Sequence, residues 1–168
     1  MTTLPETFAE DVLHDSMRRQ LEVFLDEHRA MLAECLDGLT EEQARRSLVP
    51  SLTTLLGLVK HVTFVERVWF DEAITCRSRE EIGIPTTVDE SFMLDDADTV
   101  ESVRRGYLEA CAASRAAAAP LGLDDLVHGN RRGPLPLRWV YLHMIRELAQ
   151  HCGHADILGE QLLAEQAS

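Results

Sequence analysis

Four residues near the C-terminus are spaced to do chemistry together. His143, Glu147, His151 and His154 fall at i, i+4, i+8 and i+11 of one apolar-periodic segment. At about 100° per residue they share an arc of roughly 80° on a helix. The apolar stripe of the same segment (Val140, Met144, Leu148, Ala155, Leu158 and Leu162) overlaps that arc, while Arg138, Arg146, Asp156 and Glu160 lie elsewhere. Imidazoles and a carboxylate therefore point towards a core, where unpaired polar groups are costly. A divalent metal is a leading way to satisfy them.

A second segment supplies a partner. His61 sits in the middle of an apolar face formed by Leu58, Val62, Phe64, Val65 and Val68, with Lys60, Thr63, Arg67 and Asp71 on the solvent side. Helix bundles build metal sites in this way, from side chains that face one another across the interior. Glu147 and His151, at i and i+4, can reach one ion, and His61 would add a third ligand. Three N/O ligands leave a position open for water or substrate, the pattern of a catalytic site. Zinc suits the set, and nickel, iron or manganese accept the same ligand types. The spacing alone leaves two alternatives open. His143 or His154 could complete the set, or either could contact substrate or carry a proton. A core histidine can also be satisfied by a backbone carbonyl without any metal. His14 and His28 read as surface or helix-packing residues, and His128 as a solvated loop residue. Arg131 and Arg132, beside Gly133, could hold an anionic part of a cofactor or substrate, or simply face water.

These residues need helices to position them. Four long helical patterns run over about 15–36, 52–74, 98–119 and 137–163, and no convincing strand appears. Thr40 to Gln43 forms a capping-box pattern opening a short helix or turn. Asp98 with Glu101 reads as the start of the third long helix, and Pro136 suits the first turn of the fourth. Gly57, inside the second, marks a close helix contact. Between them lies a long aperiodic loop over 76–96, of the kind that forms lids and rims. The expected architecture is all-α, a single four-helix bundle over 1–168, with 1–12 a flexible arm or short docking helix.

Composition narrows the function. The 168 residues are 45% apolar and carry a formal net charge of -13. Such acidity argues against a nucleic-acid or anionic-membrane partner. No apolar run approaches the roughly 20 residues of a membrane span. Cys35, Cys76, Cys111 and Cys152 have no CxxC spacing, so a reducing cytoplasm is expected.

Two stretches resemble a known superfamily. Gly57-Leu-Val-Lys-His61, followed by Glu66-Arg-Val-Trp69-Phe, is similar to the second helix of DinB-like proteins. Leu137 to Asp156, with His143, Glu147, His151 and His154, resembles their last helix. The match follows helix order along nearly the whole chain. Many members carry three histidines, the last two as HxxxH. This chain has Glu147 in place of the first of those two, as in the mycothiol-dependent maleylpyruvate isomerase branch. The resemblance implies a bundle with a divalent metal, first of all zinc, held by His61, Glu147 and His151. It implies chemistry on a low-molecular-weight thiol such as mycothiol, as in the mycothiol and bacillithiol S-transferases, with an electrophilic small molecule as second substrate. His154 or His143 would then orient substrate or shuttle a proton. A non-catalytic, stress-associated metal-binding bundle is the alternative, and a homodimer is compatible with either.

Overall fold

The computed structural model describes residues 7–166. Four long helices carry the fold: α1 (Met17–Glu34), α2 (Leu55–Glu66), α3 (Val100–Ala118) and α4 (Leu137–Gln166). α2 runs on into a π-helical segment, Arg67–Glu72, and a last turn, Ala73–Thr75. α1 packs on α4, α2 on both α3 and α4, and α3 reaches back to α1. Leu25, Leu32, Leu56, Leu58, Met144 and Leu148 are fully buried between them. The apolar spacing read from the sequence is therefore the spacing that builds the core. No helix among the described residues is long and apolar enough to cross a membrane.

Local chemistry sets where the helices start. Ser16 caps α1 by accepting the Arg19 N–H, and Thr54 caps α2 by accepting that of Gly57. Such caps satisfy donors that the helix leaves free. The Thr40/Gln43 capping box forms as expected, at the head of a short helix, Glu41–Ala44. α3 departs from expectation by one residue. Its cap is Thr99, paired reciprocally with Ser102, in place of Asp98 with Glu101. Asp98 instead holds Lys60 at 2.6 Å.

Two further corrections concern the stretches that frame the site. A two-residue antiparallel ladder, β1 (Leu126–Val127) with β2 (Leu135–Pro136), lies before α4, where no strand was expected. Pro136 belongs to that ladder, so α4 begins one residue later, its first N–H groups donating to the carbonyls of Asp125 and Leu123. The 76–96 stretch is more structured than a bare loop. It contains a short helix, Arg79–Ile82, and a 3-10 turn, Asp89–Phe92. Gly57 does mark a close approach, but to this turn and not to a helix. A Cβ there would stand 2.9 Å from the Phe92 carbonyl oxygen. Of the arm expected over 1–12, residues 1–6 lie outside the described part. Ala9–Val12 form a 3-10 turn that buries Val12, and the Ala9 N–H donates to Glu27 at 2.7 Å.

Candidate metal centre

α2 and α4 bring His61, Glu147 and His151 together. One donor atom from each lies within 4.8 Å of the other two. His61 and His151 are buried, at 4% and 9% exposed, with ring centroids 4.9 Å apart and nearly perpendicular. Glu147, one turn before His151 on α4, sets a carboxylate oxygen 3.5 Å from His151 Nε2. That imidazole holds the Glu147 carboxyl below its usual range, with the neighbouring histidines adding to the effect. Burial, reinforced by the nearby His151, pushes the His61 pKa down to about 4, against the pull of Glu147. At neutral pH His61 is thus an uncharged imidazole and Glu147 a carboxylate, the states in which both can ligate a cation.

The proton on His61 can be placed. Its Nδ1 lies 2.7 Å from Ser91 Oγ, and the Ser91 hydroxyl donates to the Val88 carbonyl. A carbonyl only accepts, so the single serine hydrogen is committed to it. Ser91 Oγ must then accept from His61 Nδ1–H. Nε2 is left with its lone pair free, as a metal-ligating histidine requires. Phe92 completes the clamp, its ring stacked on the His61 imidazole at 4.0 Å and 11°. On α4, His151 Nδ1 is buried with no hydrogen-bond partner among the described residues. Two imidazoles, one carboxylate and an unsatisfied buried nitrogen make a donor set that fits a divalent cation.

The three residues line a cleft of about 530 Å³. One wall is aromatic. Trp69, from the π-helical segment, lies 4.3 Å from the His143 ring and 5.6 Å from Trp139, which stacks on His143 at 5.2 Å and 10°. His143 lines the cleft and its Nδ1 accepts from Arg146 Nη2 at 2.9 Å. Burial lowers its pKa, with Arg146 and Arg132 adding to the effect and Glu147 opposing it. A neutral imidazole whose Nδ1 accepts carries its hydrogen on Nε2. His143 therefore enters the site as a donor. His154 is exposed and outside the lining of the cleft, its ring edge-on to His151 at 5.6 Å. His14 and His128 are exposed, and His28 is half-buried with Nδ1 2.6 Å from the Phe24 carbonyl oxygen. Cys152 is buried and directs its thiol at the His28 carbonyl.

Sequence reasoning did not find Ser91, Phe92 or Trp139. The first two come from an aperiodic stretch, where no spacing marks a side chain as inward. Trp139 lies in α4 but outside the apolar stripe of Val140, Met144 and Leu148, so the spacing did not single it out. Arg131 and Arg132, left open between ligand contact and solvated loop, both line the cleft.

No curated protein matches the chain. A family model does, over residues 20–164, and its description is Mycothiol-S-transferase. That span runs from the first turn of α1 to the end of α4 and includes every residue of the His61/Glu147/His151 cluster. The chain belongs to the mycothiol S-transferase family, within the DinB-like superfamily.

Proposed function

We propose that the protein is a divalent-metal-dependent thiol S-transferase, with mycothiol as its thiol and zinc as its first-choice ion. In this reading the four long helices are a DinB-like four-helix bundle and His61, Glu147 and His151 are the metal ligands. The observation that carries it is the convergence of two imidazoles and one carboxylate at a cleft of about 530 Å³. A bound divalent ion supplies the acidity that turns a thiol into a thiolate near neutral pH.

The chain's own residues do the rest. Ser91 and Phe92 hold the His61 ring in the tautomer and orientation that expose Nε2. Phe64, Val65 and Trp69 make the neighbouring wall apolar and limit water at the reacting sulfur. His143 offers its Nε2–H to negative charge that develops on the electrophile. In a displacement the sulfur–carbon bond forms as the leaving group departs with its electron pair. In an addition to an activated double bond the thiol proton returns to the neighbouring carbon. His154 acts from outside, by positioning the His151 ring.

Metal analysis of the purified full chain tests the ligand set, and conjugation of mycothiol and other thiols to a generic aryl halide tests the activity. We expect about one equivalent of metal per chain, lost on chelation, and weaker binding in His61→Ala and His151→Ala. Glu147→Gln weakens it too, because a neutral amide is a poorer donor than a carboxylate. His154→Ala keeps the metal and loses turnover. Full occupancy in the His61→Ala/His151→Ala double variant would overturn the assignment. Metal without turnover on any thiol would favour the non-catalytic, stress-associated alternative.

A further inference from the structure

The mouth of the cleft is cationic in an otherwise strongly acidic chain. Acidic residues outnumber basic ones 29 to 16, and Arg29, Arg77, Arg79, Arg104, Arg115 and Arg138 each meet a carboxylate. Arg131 and Arg132 meet none among the described residues, yet both line the cleft. The Arg132 guanidinium lies over the rings of Trp69 and Trp139, at 5.5 and 5.7 Å. Cation–π contact fixes the position of the group but uses none of its N–H donors. Those donors have no acceptor in the protein among the described residues.

The loop that carries the pair is built to stay in place. The Gly129 N–H donates to the Ala73 carbonyl at 2.9 Å, and a Cβ at Gly129 would stand 1.9 Å from the Glu72 carbonyl oxygen. Only glycine permits that contact, which seats the loop on the end of the π-helical segment. Asn130 then closes a turn over the arginines, its side chain accepting from the Arg132 N–H and donating to the Gly133 carbonyl, both at 2.9 Å. Arg132 and His143 line the same cleft as His61, Glu147 and His151. The arginine thus belongs to the same site as the ligands.

We propose that Arg132, assisted by Arg131, is an anion clamp that selects an electrophile bearing a carboxylate or a similarly planar oxyanion. The planar fork of an arginine matches two oxygens of one carboxylate, and the cleft's positive field draws an anion towards it against the negative field of the chain. The inference rests on the transferase reading for the word electrophile, but the anion site itself does not.

Trp69 and Trp139 are the only tryptophans in the chain and both flank Arg132, so intrinsic fluorescence reports on the clamp directly. The full chain with its metal is titrated at pH 8 with benzoate and with benzamide, its uncharged counterpart. We expect saturable binding of benzoate, about ten-fold or more tighter than benzamide. Arg132→Ala removes that preference and Arg132→Lys restores it only in part, since a point charge lacks the fork. Arg105→Ala, which deletes an exposed charge paired with Glu101 on α3, leaves it unchanged. Equal affinity for the two probes, or benzoate binding that survives in Arg132→Ala, overturns the clamp. Benzoate selectivity lost in Arg132→Ala, in a protein that conjugates no thiol, keeps the clamp and removes the transferase reading.

Discussion

Ser91 does for His61 what spacing alone cannot. A histidine offers a metal either nitrogen, and the choice is made by what the other one bonds. Here a fully buried hydroxyl, already committed to the Val88 carbonyl, can only accept from Nδ1. Ser91→Ala leaves that N–H buried without a partner and the ring free to turn. Metal affinity should fall about 10–100-fold, as it does when outer-shell partners of ligating histidines are lost. Competition with a chromophoric chelator measures this, with the helical circular dichroism unchanged. Wild-type affinity in Ser91→Ala would show that the ring is held by Phe92 alone. The clustering of His61, Glu147 and His151 was legible in the sequence, because a helix repeats and an inward-facing histidine or glutamate breaks an apolar stripe. Ser91 was not, because a 3-10 turn of four residues has no period to break.

At the scale of elements, the site depends on α2 holding its register through the π-helical segment. There the Ala73 N–H reaches back to the Val68 carbonyl, and the wider turn sets Val68, Trp69 and Glu72 along the cleft. Such turns recur at functional sites, and nothing in the residue types of Arg67–Glu72 announces one. Just before it, Glu66 is wholly buried and receives two hydrogen bonds from Arg29 of α1, Nε to Oε1 at 2.8 Å and Nη2 to Oε2 at 2.6 Å. Arg29 also donates to Asp26, which is held in turn by Arg115 of α3. One chain of charges therefore ties α1, α2 and α3 at the level of the π-helical segment. The three-and-four spacing of α1 picks out Leu21, Leu25 and Leu32, which are buried, but it also includes Met17, Phe24 and Met31, which are exposed, and it misses Val23 and the buried Arg29, whose inward place shows only once its partner is known. Arg29→Met alone strands the Glu66 carboxylate and should cost about 3–5 kcal/mol. Arg29→Met with Glu66→Leu should cost much less than the two single changes together, because an apolar pair has no charge to desolvate. Urea denaturation of the three variants measures the difference, and simple additivity would mean that the pair does not act as a unit.

For the whole molecule, the buried site makes stability depend on pH in a predictable direction. A histidine in an unfolded chain has a pKa of about 6.5, whereas burial and His151 bring that of His61 to about 4 in the fold. The folded value is the lower, so the unfolded chain binds the extra proton first. The contribution of His61 is then fully present above pH 6.5 and is lost as the pH falls through 4. Glu147, also lowered, acts in the same direction but in the carboxylate range beneath. At about 1.4 kcal/mol per pKa unit, the His61 part is on the order of 3 kcal/mol. The net charge of -13 means that mild acid also relieves self-repulsion, which works the other way. A variant must therefore separate the two. Thermal denaturation of the chelated chain between pH 8 and 4.5 should show destabilisation on the acid side, and His61→Asn should flatten the curve. The metal-loaded chain should lose stability more steeply, because protons must then displace the ion from its ligands. Parallel curves for the chelated wild type and His61→Asn would show that the acid response belongs to the surface charge and not to the site.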